Sequence, residues 1–272
     1  MEHGKLSVEI LTTENLNDAV QLAKSLNDLN ILRRKIEQKI IYDIHAYLAE
    51  NPGELNKNSL VLSAGDWHEG VLGIVASRLV DNYFRPVVVI STKNGIGKGS
   101  ARSIPGFDLY EGLSACSGDL VQFGGHSMAA GLKINLKNID RFKINFDNSV
   151  SSGIKPIDFT PKLSIDAELG FDDISDRLID EIESLTPFGT GNPEPLFIAR
   201  NVEVFSSKIV GKNHRSMLLK QSGGKMPKIF NAIHFNSIAN APLKDNFDRI
   251  AFRLRWNRWN GQKKVQIVVE EI

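Results

Sequence analysis

Residues 59–103 read SLVLSAGDWHEGVLGIVASRLVDNYFRPVVVISTKNGIGKGSARS, and this stretch decides the fold class. Residues 59–64 (SLVLSA) form a short apolar run bounded by polar positions, which predicts a strand. Residues 70–84 (GVLGIVASRLVDNYF) carry apolar side chains at helical spacing, with Gly73 set for close packing. Pro86 precedes residues 87–92 (VVVIST), the strongest strand signal in the chain. A glycine-rich turn, KNGIGKGS, then leads to Ser100-Ala101-Arg102-Ser103, and a helix follows over about 108–117. Strands alternating with helices predict a small, mostly parallel or mixed sheet covered by helices, an α/β domain.

Upstream, Leu16, Ala19, Val20, Ala23, Leu26, Leu29, Ile36, Ile40, Ile44, Tyr47 and Leu48 recur at helical spacing. Thr13-Glu14 is the expected start and Asn51-Pro52-Gly53 the stop. At 1.5 Å per residue such a helix is about 50 Å long, a spine packing along one stripe. Its basic run, Arg33-Arg34-Lys35, is expected on the solvated face. Downstream, SSGIKPIDFTP (151–161) reads as a linker, with a domain boundary at 154. One helix over about 172–185 follows, then short strands: LFIARNVEVF, SKIVGK, RSMLLKQ, KIFNAIHF, DRIAFRLRWN and KKVQIVVEEI. Five or so strands at such spacing predict a small closed β-barrel, an all-β domain after the α/β one.

With 272 residues, 42% hydrophobic and 24% charged, the chain has the composition of a soluble globular protein of two domains. No apolar run approaches the roughly 18 residues of a membrane span, and MEHGKLSVEI lacks a secretion-signal pattern. The single cysteine, Cys116, excludes an intrachain disulfide framework and any CxxC metal cluster. A cytosolic, reduced protein is expected. The net charge of +1 conceals a gradient. Residues 1–154 hold 16 Lys+Arg against 17 Asp+Glu, residues 155–200 hold 4 against 10, and residues 201–272 hold 13 against 5. An acidic stretch followed by a basic one suggests a local anion-binding face, against the plainer reading of a solvated β surface.

Three groups of residues could carry chemistry. In Gly124-Gly125-His126, two glycines let backbone approach an anion while the histidine adds a donor or titratable group. The plainer alternative is a tight turn capped by His126. Ser100 and Arg102 share a face of an extended strand, where a guanidinium fork and a hydroxyl, with Ser103 beside them, suit a phosphate. The plainer alternative is an edge-strand arginine. In the barrel, Arg253, Arg255, Trp256, Arg258 and Trp259 interleave cations with aromatics, followed by Lys263 and Lys264. Indoles that stack on bases beside cations that follow phosphates are how single strands are held. Lys208, Lys212, His214 and Arg215 form a second basic cluster. Asp66-Trp67-His68-Glu69 lies at a strand-to-helix junction, where α/β sheets bind ligands, though Asp66 also suits a helix cap and Trp67 packing. There is no DxD, HExxH, DHH or GxSxG, and no metal ligands are assigned.

DWHEGVLGIVASRL, GSARS and GGHSMAAG resemble the DHH-associated domain of DHH-superfamily phosphoesterases. PFGTGNPEPLF, IVGKNHRSMLLK, NAIHF and RWNRWNGQKKVQIVVEEI resemble the C-terminal oligonucleotide-binding (OB) fold of the RecJ family of bacterial exonucleases. With the spine helix these blocks cover nearly the whole chain. The resemblance divides it into an N-terminal segment and spine (1–52), a DHH-associated α/β domain (53–153) and an OB-fold domain (154–272). It implies the substrate-binding part of a 5′-to-3′ single-stranded-DNA exonuclease of repair and recombination, cytoplasmic and nucleoid-associated. Mn2+ or Mg2+ would be held by a separate N-terminal DHH domain of the same polypeptide, so Met1 would stand inside a longer protein and this portion alone would be inactive. Ser100 and Arg102 would bind a DNA phosphate near the cleavage site. Gly124, Gly125 and His126 would close over the scissile phosphate, and the barrel would grip the strand. His68-Glu69 departs from the His-Pro pair expected there, so no role is carried to Glu69. Further partners would be a repair helicase or a single-strand-binding protein. Two other readings stay open: a stand-alone single-strand-binding or adaptor module, and a relative acting on short oligonucleotides or cyclic dinucleotides.

Overall fold

The computed structural model describes residues 4–153, 159–211, 213–223, 228–237 and 246–271. The chain divides into two compact units, Met1–Pro161 and Lys162–Ile272.

The first unit opens with helix α1 (Gly4–Thr12), which the sequence reading did not foresee, and the spine helix α2 (Leu16–Glu50). Asn15, not Thr13, caps α2: its side chain accepts from the Asn17 N–H at 2.9 Å. The apolar stripe is only partly used. Ile40, Ile44 and Leu48 are buried, whereas Leu16, Val20 and Tyr47 stay exposed. Arg33 also departs from the solvated face expected of it. Its guanidinium donates to the buried Glu37 carboxylate at 3.0 Å, and Arg78 of the next helix pairs with the same group.

Five strands form a mixed sheet in the order β1-β2-β3-β5-β4: β1 (Leu60–Ala64), β2 (Val87–Lys93), β3 (Ile96–Arg102), β4 (Leu120–Gly125) and β5 (Ala129–Asn135). Only β1 and β2 run parallel, because helix α3 (Leu72–Tyr83) carries the chain back between them. Asn94 and Gly95, at φ 51° and 82°, close a two-residue hairpin between β2 and β3. The glycine-rich turn read from the sequence is therefore only these two residues; Gly97 and Gly99 lie inside β3. There they are required, since a Cβ on Gly97 would meet Ile90 at 2.7 Å and one on Gly99 would meet Leu132 at 2.9 Å.

Strands β1 and β2 are buried on both faces. Leu60, Leu62, Val87 and Val89 pack under α2 and α3. Val61, Val88 and Ile90 pack under α4 (Leu109–Ala115) and α5 (Ile139–Gly153). Helix α5 is absent from the sequence reading, although Ile139, Phe142, Phe146 and Val150 give it a clear buried stripe. Helix α3 reaches over part of β3, and beyond it strands β5 and β4 are covered on one face only, by α4 and α5. The linker expected from residue 154 falls, over 154–158, outside the described residues.

The second unit begins with β6 (Ala167–Glu168) and α6 (Asp176–Ser184), capped by the Ser175 hydroxyl. Strands β7 (Phe197–Val210), β8 (His214–Gln221), β9 (Ile229–His234), β10 (Asn246–Trp259) and β11 (Gln262–Glu271) follow. The order β10-β11-β9-β8-β7, with β10 also paired to β7, closes a five-stranded barrel around Phe171, Leu219, Phe252 and Ile267. Residues 197–210, read as parts of two strands, are one: β7 bends at a bulge between Val204 and Ser206, which shifts its alternation.

Candidate phosphate and nucleic-acid site

On the open face of the first sheet, Ser100 and Arg102 stand side by side as the strand period requires. Arg102 Nη1 donates to Ser100 Oγ at 3.3 Å and to the Ala101 carbonyl at 2.8 Å. Helix α3 approaches closely because Gly73 lacks a side chain; a Cβ there would lie 2.7 Å from Arg102 Nη2 and 3.2 Å from Ser100 Oγ. Among the described residues no carboxylate pairs with Arg102, although it is half-buried. A partly desolvated guanidinium left with hydroxyl and carbonyl partners retains donors for an anion. Ser103 points elsewhere. It is only 4% exposed, its hydroxyl donates to the Phe107 carbonyl at 2.8 Å, and its N–H donates to the Met128 carbonyl at 3.1 Å.

Those bonds anchor the neighbouring turn. Gly124 and Gly125 end β4, and the His126 N–H donates to the Ala129 carbonyl at 2.8 Å to start β5. Gly125 has φ 152°, and a Cβ on it would lie 2.4 Å from the Ala129 oxygen, so this position demands glycine. The His126 side chain is exposed and has no hydrogen-bond partner among the described residues. The pairing register places Gly124, Gly131 and Ser100 abreast on β4, β5 and β3. Both predicted phosphate-binding segments thus meet on one face.

At the β1-to-α3 junction, His68 rather than Asp66 caps the 3-10 turn Glu69–Val71 that leads into α3, its Nδ1 accepting from the Gly70 N–H at 3.1 Å. Trp67 packs on the core under α2, and Glu69 pairs with Lys98 at 2.9 Å. A cavity of about 610 Å3 lies between α2 and this junction, lined by Ile40, Asp43, Tyr47, Asp66, Trp67 and Lys143 among others. Cys116 is buried, and burial, with the nearby Asp119 carboxylate, pushes its thiol up to about 11. No group of three or more His, Cys, Asp or Glu side chains among the described residues is placed to hold a metal ion.

In the barrel the basic strand pair meets the acidic stretch of the same unit. Arg255 forks onto Glu194 at 2.5 and 2.8 Å, and Arg258 onto Glu183 at 2.7 Å twice. Arg253 bonds Glu270 at 2.9 Å. The Trp256 indole N–H and Lys263 donate to Asp180 Oδ1 at 2.9 and 2.8 Å, with Lys263 4.0 Å above the indole. Hydrogen bonds from Lys263 and Trp256 hold the Asp180 carboxyl below the usual carboxylate range, and Arg258 does the same to Glu183. Glu194, Glu183 and Asp180 of the acidic stretch thus neutralise Arg255, Arg258 and Lys263 of the basic one.

What remains free is narrower. Trp259 is 75% exposed at the tip of the β10–β11 hairpin, next to Asn260-Gly261. It shares a face with Lys264, which is exposed and has no ion pair among the described residues. Lys208 is likewise exposed and unpaired there. His214 Nδ1 accepts from the Asn236 N–H at 3.1 Å, and its ring packs edge-on against Phe235. Arg215 is 9% exposed, between Ile209 and His234. Lys212 lies outside the described residues. The sequence reading missed Phe205, 67% exposed at the bulge of β7, and Phe235, 51% exposed against His214. Phe205 escaped because the bulge in β7 breaks the alternation that would have marked it.

Two family models match these units: DHHA1 domain over residues 56–152 and RecJ OB domain over residues 165–271. The chain pairs a DHHA1 domain with a RecJ OB domain. The DHHA1 match contains the Ser100–Arg102 face and the Gly124–His126 turn, and the RecJ OB match contains the barrel. Among curated proteins, the single-stranded-DNA-specific exonuclease RecJ of Bacillus subtilis is 31% identical over the whole of this chain. That of Haemophilus influenzae is 32% identical, again over the whole chain. The chain spans 34% and 49% of their lengths. Crystal structures of RecJ from Thermus thermophilus share the fold. The Mn2+ complex gives a TM-score of 0.80 at 24% identity, over 98% of this chain and 38% of that one. The Mg2+ complex gives 0.77 at 23% identity, over 98% and 40%.

Proposed function

We propose that this chain is the substrate-binding C-terminal portion of a RecJ-like 5′-to-3′ single-stranded-DNA exonuclease of repair and recombination. The observation that carries the reading is the Arg102–Ser100 pair, free of any described carboxylate, on the same sheet face as the Gly124–His126 turn. The parts are a spine (1–52), the DHHA1 domain (53–153) and the OB domain (154–272). Ser100 and Arg102 hold a phosphate near the cleavage site by charge-assisted hydrogen bonds. Gly124 and Gly125 let backbone approach the scissile phosphate, and His126 supplies a donor there to stabilise developing charge. Mn2+ or Mg2+ belongs to a DHH domain of the same polypeptide, where it would activate the attacking water. The described residues of this chain offer no ligand set for it.

In the OB domain the strand runs over Trp259 and Lys264 and past Lys208, His214 and Phe235. The hairpin tip and the β7–β8 turn are the loops through which OB folds take oligonucleotides. Arg253, Arg255, Arg258, Lys263 and Trp256 shape the hairpin through their carboxylate partners. Single-stranded DNA, the DHH domain and a repair helicase or single-strand-binding protein are the proposed partners, in the cytoplasm at the nucleoid. The test is incubation of the purified chain with labelled single-stranded DNA and Mn2+. The expected result is binding without digestion; robust metal-dependent digestion would overturn the assignment.

A further inference from the structure

The open sheet face extends past Ser100 to residues with no assigned part. Lys98 lies on that face two residues before Ser100, about 7 Å along the strand at roughly 3.4 Å per residue. The register sets Lys98 directly opposite Lys133 on β5, with Gln122 next on β4. Two like charges facing each other across strands destabilise a sheet. Glu69 offsets Lys98 at 2.9 Å, but no described carboxylate offsets Lys133, and both lysines are exposed.

Beside Ser100, across β5 and β4, the surface is bare backbone. Gly124 and Gly131 are adjacent across β4 and β5, and neither has a positive φ. A Cβ on Gly124 would meet nothing within 4 Å, and one on Gly131 only the Gly99 oxygen at 3.9 Å. The fold therefore gives no reason for glycine at either position, while glycine inside a strand weakens it. Glycines that internal packing does not require are what a closely approaching ligand requires. The result is a cleft of about 510 Å3 lined by Glu69, Leu72, Lys98, Gln122, Phe123 and Lys133, among others. That volume lies within the roughly 300–1,000 Å3 of small-molecule sites and is larger than one phosphate needs.

We infer that this cleft is a second-nucleotide subsite: the next sugar and base of a single strand lie over Gly131 and Gly124, and its internucleotide phosphate sits between Lys98 and Lys133. The inference rests on the phosphate reading of Ser100 and Arg102 and extends it by one nucleotide. Binding of thymidine 5′-monophosphate and of the dinucleotide pTpT to the chain, followed by NMR titration, tests it. Arg102→Ala is expected to weaken both ligands. Lys133→Gln should weaken pTpT on the order of tenfold and flatten its salt dependence by about 0.7 in log–log slope, while leaving the monophosphate unchanged. Gly131→Val, whose Cβ would meet only the Gly99 oxygen at 3.9 Å, should keep the melting temperature and also lose pTpT. If Arg102→Ala acts but Lys133→Gln and Gly131→Val leave pTpT binding intact, the subsite is wrong and the phosphate site stands. If Arg102→Ala changes neither ligand, both fall.

Discussion

Arg102 and Gly125 show how differently single residues can serve one site. Arg102 keeps its donors because Gly73 makes room for its guanidinium and no described carboxylate claims it. Gly125 is fixed by geometry, at φ 152° with the Ala129 oxygen too close to admit a Cβ. Gly125→Ala should therefore cost about 1–3 kcal/mol of stability, whereas Gly124→Ala should change it little. Urea denaturation of the two variants distinguishes them, and equal midpoints would contradict the assignment. The sequence made Ser100, Arg102 and the Gly-Gly-His turn legible, because strand period and glycine pairs are local signals. It did not reveal that Ser103 turns inward to the Phe107 carbonyl, which depends on the fold of the following loop. Nor did it single out Lys98 and Lys133, whose meeting depends on the β3–β5 register.

At the scale of elements, the β10–β11 hairpin presents two tryptophans with opposite fates. Trp256 is tied to Asp180 and covered by Lys263, while Trp259 stands free at the tip. Trp259→Ala should weaken binding of a long single strand by about 1–3 kcal/mol and leave stability unchanged. Trp256→Ala should instead destabilise the barrel by roughly 1–3 kcal/mol. Fluorescence anisotropy and thermal melting separate the two outcomes; the reverse pattern would exchange their roles. Helix α6 supplies carboxylates whose ionised forms the fold favours. Because the Asp180 and Glu183 carboxyls are held below their ordinary range, their contribution is present at neutral pH. It is lost as pH falls from that ordinary range down through the lowered values. Melting temperatures across the acid range should show this loss and show less of it in Asp180→Asn/Glu183→Gln. The spine and the barrel strands were readable from periodicity. The union of two apparent strands into β7 was not, because a bulge inverts the alternation at Phe205.

For the whole molecule, net charge proved a poor guide in both directions. The +1 total hides a basic C-terminal segment, yet over 155–272 there are 17 Lys+Arg against 15 Asp+Glu, and many of them pair. Anion binding at the proposed sites must then come from the cations there that no described carboxylate offsets: Arg102 and Lys133 in the DHHA1 domain, and Lys208 and Lys264 in the OB domain. Their number predicts moderate, salt-sensitive affinity. The most direct measurement is anisotropy titration of the chain with oligo-dT of about 15 nucleotides, within the roughly 4–16 an OB fold covers. It is repeated for Arg102→Ala between about 50 and 200 mM salt. The account predicts binding that weakens with salt, and in Arg102→Ala a lower affinity with a log–log slope shallower by about 0.7. Absence of binding, or superimposable isotherms for the two proteins at every salt concentration, would contradict it.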